Sequence, residues 1–262
     1  MTVTDVNVVK SAIFERPDDA NKGTLGSLLC VCGSYGMAGA AVMSAKGALR
    51  TGIGLAKCAL PRSIYPIVAQ TILESVYYPL SENADGRISK VNVPFLVSES
   101  CKSSATLVGC GLGVCDDTLK IVFSFIENST TPLVLDADAL NCVAKQPEIL
   151  LRKKAPIIIT PHPGEMSRLT GLATPLVNAE RERVALDFAQ KYGVVTVLKG
   201  AGTVIASPNG KVLVNPTGNS GMATGGSGDV LAGMTASILA QGASPFSSAT
   251  AAVYLHGLAG DI

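Results

Sequence analysis

Short runs rich in valine, isoleucine and leucine alternate along this chain with stretches of helical character, and this alternation constrains the fold more than any other feature. Apolar strands separated by helices are typical of a parallel sheet that is covered on both faces. The predicted strands are Ser27–Cys32, Leu55–Leu60, Ala105–Gly109, Pro132–Asp136, Pro156–Thr160 and Val194–Leu198. The predicted helices are Ala38–Thr51, Asp117–Glu127, Gly164–Thr170 and Asn178–Tyr192. We therefore expect an α/β fold with a mainly parallel central sheet and helices on both faces.

The series ends in a different pattern. Two short apolar runs, Thr203–Ala206 and Val212–Val214, flank the turn sequence Pro208-Asn209-Gly210, which predicts a β-hairpin. A length of 262 residues is ordinary for one α/β domain. The prediction is a single domain over residues 1–262 with a C-terminal β-hairpin extension.

Charge and polarity limit the classes of partner. Charged residues make up 16% of the chain, below the roughly 25% of an average soluble protein, which suggests surface hidden in an oligomer. We expect a homo-oligomer, specifically a tetramer. The net charge is +1 and no basic cluster is present, so neither nucleic acid nor a membrane surface is an expected partner.

The N-terminal sequence and the cysteine content both favour a cytoplasmic location. Residues 1–19 lack the apolar core of a signal peptide. The uncharged segment Val230–Gly260 is broken by Gln241-Gly242-Ala243-Ser244-Pro245, so we expect two buried helices rather than a membrane span. Seven cysteines form no C-x-x-C pair and only two histidines accompany them, which favours reduced, mostly buried thiols over a zinc site.

The segment Asn215–Gly233 carries the clearest chemical signal. It places five glycines in a polar loop and turns apolar after Asp229, in a pattern that suits a helix. Glycines gather backbone N–H groups at one point, and a helix N-terminus adds unpaired donors, so the segment predicts a phosphate cradle. A carboxylate there would repel phosphate unless it took the proton of an attacking hydroxyl, which favours Asp229 as a catalytic base. A simple helix cap is the alternative.

Two more glycine-rich loops follow predicted strands. One runs from Gly33 to Ala41 and the other from Gly109 to Gly113. Neither matches G-x-G-x-x-G or a Walker A loop, so a standard dinucleotide fold or P-loop is not indicated. Ligands of an open parallel sheet bind outside the carboxyl ends of the strands, where these loops lie. Together with the C-terminal cradle they favour a large, phosphate-rich ligand over a set of ordinary tight turns.

Three further strand ends carry polar residues. Asp136 and Asp138 would alternate onto one side if the extended strand persists, and one could hold a metal through water; a turn with a helix cap is the alternative. His162 stands between two prolines in a stiff segment that can aim its imidazole at a ligand. Lys199-Gly200-Ala201-Gly202-Thr203 offers backbone groups to an adenine edge or phosphate, or is an ordinary turn with a solvated lysine.

Taken together, these loops resemble the ribokinase-like superfamily and, within it, the NAD(P)H-hydrate dehydratases. The P-H-P-G-E segment at Pro161–Glu165 and the N-P-T-G-N segment at Asn215–Asn219 are the most specific motifs, whereas small-molecule kinases usually share only the last loop. The other matching segments are Lys22–Gly26, Gly39–Ala41, Ala48–Leu55, Leu135–Leu140, Leu198–Gly200 and the stretch through Asp229. The chain departs from the pattern at Asn21, usually His, at Cys110, usually Pro, and in stopping at Ile262.

The resemblance implies repair of damaged nicotinamide cofactors. A nucleotide, ADP or ATP, would phosphorylate the ring hydroxyl of the S hydrate of NADH or NADPH, elimination would restore NAD(P)H, and Mg²⁺ would neutralise the polyphosphate. The implied nucleotide-binding residues are Lys199, Gly200, Ala201, Gly202, Thr203, Gly226 and Gly228. The implied substrate-binding residues are Ala40, Gly111, His162 and Asp229, with Asp229 as the catalytic residue and no metal-ligating residue assigned. A vitamin-alcohol kinase and a nucleotide-binding sensor are the rival functions.

Overall fold

A computed structural model describes residues 3–13 and 15–262 of the chain, and a nine-stranded sheet forms its centre. The strands are β1 Ser27–Val31, β2 Leu55–Pro61, β3 Val76–Leu80, β4 Ala105–Val108, β5 Leu133–Leu135, β6 Ile157–Ile159, β7 Val195–Leu198, β8 Val204–Ala206 and β9 Val212–Val214. Their order across the sheet is β3-β2-β1-β4-β5-β6-β7-β8-β9. Strands β1 to β7 pair in parallel, and β8 and β9 add antiparallel strands at one edge, which confirms the predicted sheet and hairpin.

Helices cover both faces of this sheet. They are α1 Val6–Ala12, α2 Ala38–Arg50, α3 Tyr65–Thr71, α4 Val93–Cys101, α5 Asp116–Asn128, α6 Asp138–Val143, α7 Pro163–Thr170, α8 Thr174–Ala179, α9 Arg181–Tyr192, α10 Ser227–Ala240 and α11 Pro245–Asp261. Short 3-10 helices lie at Lys90–Asn92, Pro147–Arg152 and Ser220–Met222. None of the helices in the described part of the chain is both long and apolar enough to cross a membrane.

The alternation of side chains along β1 shows how the two faces are built. Leu28 and Cys30 belong to one buried cluster with α2, α10 and α11, whereas Leu29 and Val31 belong to a second cluster with α5, α6 and α9. Successive residues of a strand point to opposite faces, so a sheet buried on both sides needs an unbroken apolar run. All seven cysteines are free, and five of them are buried, as the sequence predicts.

Two predictions about these elements are wrong. The single helix expected over Asn178–Tyr192 is interrupted at Glu180, whose backbone leaves the helical region (φ −126°, ψ 40°), so that α8 and α9 are separate helices. The edge strand β3 was not predicted, because it is half exposed and contains Pro79. Proline lacks the N–H that a central strand needs but is tolerated at the edge of a sheet.

The strand order reverses direction between β1 and β4. The chain runs from β1 outward to β2 and β3, then returns to β4 on the other side of β1. At such a reversal the loops after the two strands separate to opposite faces and leave room for a ligand. The two loops stay linked at their base, because the Gly33 N–H donates to the Cys110 carbonyl at 2.8 Å.

Candidate active site

Helices α2 and α10 both begin at the carboxyl edge of the sheet. They pack in parallel through glycines: a Cβ added at Gly47 would lie 2.7 Å from the Val230 carbonyl oxygen, and one added at Gly233 would meet the Ser44 carbonyl. Glycine permits this close approach of two backbones. As a result two helix N-termini, each with unpaired N–H donors, lie side by side at the edge where ligands of such sheets bind.

A pocket of about 710 Å³ opens beside the start of α10. Its walls come from the loops after β6, β7 and β9 and from the first turns of α10 and the C-terminal half of α11. The lining residues are His162, Pro163, Lys199–Thr203, Asn215–Ser220, Met222–Gly225, Ser227, Gly228, Leu231, Val253, His256 and Gly257. The pocket therefore brings together His162, Lys199–Thr203 and Gly228 from the predicted set, whereas Ala40, Gly111, Gly226 and Asp229 do not line it.

Asp229 occupies the first turn of α10. The helix begins at Ser227, three residues before the predicted start at Val230, directly after Gly226 in the left-handed region (φ 92°). A Cβ on Gly226 would meet the Met43 side chain of α2, and one on Gly228 would lie 3.4 Å from Lys199 Nζ. The turn thus carries backbone donors and the Asp229 carboxylate, and the Lys199 ammonium lies beside it. This is the arrangement expected of a phosphate cradle next to a base.

A buried charge network lies behind Asp229. Lys199 Nζ donates to Asp136 Oδ1 at 2.7 Å and lies 3.8 Å from Glu165 Oε2. The Thr160 hydroxyl donates to the same Asp136 oxygen at 2.7 Å. Burial lowers the pKa of Lys199, but the carboxylates of Asp136 and Glu165 outweigh burial and raise it, so the ammonium stays charged. Lys199 is therefore held by carboxylates, and the alternative of a solvated lysine is wrong.

The surroundings of Asp229 make it a stronger base than a free carboxylate. Burial, and then the negative charge of Asp136, raise the pKa of Asp229 to about 6, while a hydrogen bond from Cys110 and the charge of Lys199 act in the opposite direction. A general base works best when its pKa is close to the working pH. Asp229 is thus ionised near neutrality yet ready to accept a proton.

Three possible metal ligands converge at this point. One ligand atom each from Cys110, Asp136 and Asp229 lies within 4.8 Å of the others. Mg²⁺ prefers carboxylate and phosphate oxygens and keeps several waters, so the two carboxylates suit it and the thiol does not. Because Asp136 already binds Lys199, these carboxylates fit Mg²⁺ as partners of its water shell rather than as a closed cage.

Asp136 and Asp138 do not lie on one side, contrary to the expectation. The extended strand ends at Leu135, and Ala137 takes a positive φ of 49°, the only such non-glycine residue in the described ranges. Asp138 then starts α6, and its Oδ2 accepts from the Gly113 N–H at 2.8 Å. Strain of this kind is concentrated at functional sites. Only Asp136 reaches the centre, while Asp138 fixes the loop after β4.

The His162 side chain caps helix α7 and also lines the pocket. Its Nδ1 accepts from the N–H groups of Gly164 (3.0 Å) and Glu165 (3.3 Å), and Glu165 Oε2 accepts from the His162 N–H at 2.8 Å, which forms a capping box. The cap needs an unprotonated Nδ1. Burial, then Lys199 and Arg168, lower the pKa of His162 and keep it neutral. The ring is therefore a helix cap that also borders the pocket.

Ala40 and Gly111 lie together next to Cys110 and outside the pocket. Both are buried, and a Cβ added to Gly111 (φ 66°) would lie 2.7 Å from the Ala40 Cβ. Cys110, whose sulfur neighbours Asp229, links this pair to the centre. The two residues are thus close to the proposed base but separate from the 710 Å³ pocket.

The sequence did not single out three residues that shape the pocket. His256 lines it from α11, and burial lowers the pKa of this imidazole. Asp261 accepts from the Gly218 N–H at 2.8 Å and from the Asn219 side chain at 3.0 Å, so it ties the N-P-T-G-N loop to α11. Arg181 lies under the Lys199–Thr203 loop. His256 could have been identified from the sequence, because it is a titratable residue in the otherwise uncharged segment Val230–Gly260. The sequence around Asp261 and Arg181 gives no comparable indication.

Comparisons with known proteins identify the family of this chain. Residues 28–262 match a family model described as NAD(P)H-hydrate dehydratase. The chain is 39% identical over 252 residues to a bifunctional NAD(P)H-hydrate repair enzyme of Moorella thermoacetica, covering 96% of this chain and 48% of the relative. It therefore spans about half the length of the first curated relatives it matches.

Shorter relatives match over most of both chains. An ADP-dependent (S)-NAD(P)H-hydrate dehydratase of Neisseria meningitidis is 36% identical over 94% of this chain and 80% of its own length. A crystal structure of an ADP/ATP-dependent NAD(P)H-hydrate dehydratase from Bacillus subtilis, co-crystallised with ATP and Mg²⁺, superimposes with a TM-score of 0.83 at 32% identity, covering 98% of this chain and 87% of that one.

Proposed function

Because this chain belongs to the NAD(P)H-hydrate dehydratase family, we propose that it dehydrates the S hydrate of NADH or NADPH in a reaction that consumes ADP or ATP. The observation that carries the proposal is Asp229, which lies in the first turn of α10 next to Gly228 of the pocket wall, with a pKa raised by burial and by the charge of Asp136 to about 6. The names of the relatives from Neisseria and Bacillus support the nucleotide and the substrate class.

In this proposal Asp229 starts the reaction. Its carboxylate takes the proton of the ring hydroxyl, and the hydroxyl oxygen forms a bond to the terminal phosphorus of the nucleotide, so that AMP leaves from ADP or ADP leaves from ATP. The phosphate ester is a better leaving group than hydroxide. Loss of phosphate with a ring proton then restores the double bond of NAD(P)H.

In the proposed division of the site, His162 borders the nucleotide pocket as well as the hydrate. Lys199, Gly200, Ala201, Gly202 and Thr203 hold the nucleotide, and Gly226 and Gly228 supply the donors that receive the transferred phosphoryl group. Ala40, Gly111 and His162 contact the hydrate. Three observations support this division: the residues that line the pocket, the N-terminus of α10, and the salt bridge of 2.7 Å between Lys199 Nζ and Asp136 Oδ1. The salt bridge keeps the ammonium beside Gly228.

Mg²⁺ belongs to the same proposal. Asp136 and Asp229 are the carboxylates that would face it, through its water shell, while the polyphosphate supplies its direct ligands. When bound, the ion neutralises charge on the phosphates. A homotetramer and a cytoplasmic location remain proposals as well. The low charged fraction of 16% supports an oligomer, and the free thiols support a reducing compartment.

A repair assay tests the function. The protein is incubated with NADH hydrate or NADPH hydrate, each with ADP and with ATP, and the absorbance of reduced nicotinamide is followed. Recovery of absorbance that requires nucleotide is the expected result, and the Asp229→Asn variant is the control. No recovery, together with phosphorylation of another alcohol, would replace the proposal with a small-molecule kinase.

A further inference from the structure

Arg181, the first residue of α9, reaches under the proposed nucleotide loop and contacts both of its ends. Its Nη2 donates to the Leu198 carbonyl, where β7 ends, at 2.8 Å and lies 3.5 Å from the Gly202 carbonyl oxygen. Residues 199–201 lie between these two carbonyls. The same Nη2 group therefore bridges the two ends of the loop.

Gly200 is shaped to fit this guanidinium. Its φ of 144° favours glycine, and a Cβ at that position would lie 3.0 Å from Arg181 Nη1, 3.1 Å from Nη2 and 3.3 Å from Cζ. The guanidinium thus lies against the backbone of Gly200 with no side chain between them. Since Gly200 also lines the 710 Å³ pocket, only one layer of backbone separates the arginine charge from the pocket.

The charge of Arg181 is not neutralised by any carboxylate in the described ranges. Arg181 takes part in no salt bridge there, and its Nε is buried with no hydrogen-bond partner. Burial lowers the pKa of Arg181, yet an arginine stays protonated. A cation at the first position of a helix also opposes the helix dipole. These costs are offset when an anion lies across the loop.

We propose that Arg181 is a positioning residue for the polyphosphate nucleotide: it sets the Lys199–Thr203 loop in its binding shape and adds positive potential through that loop. This inference rests on the proposed function, because it assumes that the nucleotide lies in the pocket. It also explains why α8 and α9 are separate helices, since the break at Glu180 places Arg181 where its side chain reaches the loop.

Replacement of Arg181 gives the test. Arg181→Ala should weaken ADP and ATP binding about 10- to 100-fold, because it removes two charge-assisted contacts and a nearby cation. Arg181→Lys should recover only part of that loss, since a lysine keeps the charge but lacks the planar guanidinium that lies against the Gly200 backbone. The Kd of each nucleotide is measured by calorimetry, and KM for the hydrate and kcat at saturating nucleotide are measured on the same samples. The hydrate KM and kcat are expected to stay within about threefold of the wild-type values.

Two controls separate positioning from general damage. Arg183→Ala, two residues along the same helix, removes an exposed arginine that pairs with Glu180 and Asp187, and nucleotide Kd should not change. Added guanidinium at millimolar concentration should improve nucleotide binding to Arg181→Ala but not to wild type. Parallel urea unfolding of all variants reports any loss of stability.

The outcomes distinguish this inference from the proposed function. If wild type binds no ADP or ATP, the proposed function fails and the inference fails with it. If wild type binds nucleotide and both Arg181→Ala and Arg181→Lys bind it equally well, only the inference is overturned. Equal changes in nucleotide Kd, hydrate KM and stability, without rescue by guanidinium, would likewise overturn it in favour of a purely structural role.

Discussion

The two regions near Asp229 are built in different ways. The pocket is open, about 710 Å³ in volume, and walled largely by loop backbone, with Lys199 as a partly buried cation. The second region is a contact between Ala40 and Gly111, both buried and without polar side-chain atoms. The first construction suits a flexible, charged ligand that is bound by many donors, and the second suits a flat ring that is recognised by shape. The same acid serves both regions.

The largest expected effect is on kcat, from replacement of Asp229, which serves both regions in the proposal. Asp229→Asn should lower kcat by about 10²–10⁴ because the variant cannot accept the hydroxyl proton. Nucleotide Kd, measured by calorimetry, should stay within about threefold, since the asparagine keeps the size of the side chain. Asp187→Asn, at an exposed position of α9, is the matched control. A kcat equal to that of wild type would remove Asp229 from the mechanism.

A matched pair of glycine substitutions sharpens the contrast between the regions. Gly226→Ala and Gly111→Ala both act at positive φ (92° and 66°), and the new methyl would meet Met43 in one case and Ala40 in the other. We expect Gly226→Ala to raise nucleotide Kd, and Gly111→Ala to raise hydrate KM, each by about 10- to 100-fold and each with little effect on the other ligand.

Gly242→Ala is the control for the effect of backbone strain alone. This residue also has a positive φ (101°), but an added Cβ would meet nothing within 4 Å. Gly242→Ala therefore carries the strain without the contact and should leave both ligand constants unchanged. If Gly226→Ala and Gly111→Ala each weaken both ligands equally, the division into two regions is wrong.

The pH dependence tests the electrostatic origin of the base. Asp229 acts when ionised, so kcat should fall as pH drops through its pKa of about 6. Asp136→Asn removes the neighbouring negative charge and frees Lys199, and both changes lower the pKa of Asp229. The acidic limb of the profile should therefore move to lower pH. A limb that stays in place would mean that Asp136 does not set the basicity of Asp229.

The smallest expected effect is on stability. The pKa of Asp229 is raised on folding, so the folded state binds its proton more tightly, and the ionised carboxylate destabilises the fold above about pH 6. Asp229→Asn should therefore stabilise the protein at pH 7, by about 1 kcal/mol once solvent screening of this half-buried group is considered, and should lose that advantage at pH 4. Urea unfolding at the two pH values measures the difference.

The sequence predicted the parts of the structure that local chemistry determines. The apolar runs gave the central strands to within one or two residues, and the glycine-rich segment predicted the helix N-terminus that carries Asp229. Both follow from short-range rules: burial on two faces, and the conformations open to glycine. The edge strand β3 and the break at Glu180 did not follow, because exposure and long-range contacts decide them.

The side-chain partners in the site could not be predicted in the same way. Lys199 and Asp136 are 63 residues apart and meet only because β5, β6 and β7 are neighbours in the sheet. The positive φ of Ala137, which separates Asp138 from Asp136, breaks the rule that a strand continues in alternation. Arg181 shows the same limit, since an arginine in a helix of mixed polarity gives no sign that it faces a loop 20 residues away.

The glycine contacts between α2 and α10 have a mechanical consequence. With no side chains at Gly47 and Gly233, the two backbones are in direct contact. A larger side chain at either position would therefore push the helices apart. Because both helices begin at the edge of the sheet, that separation would displace the start of α2 relative to the start of α10.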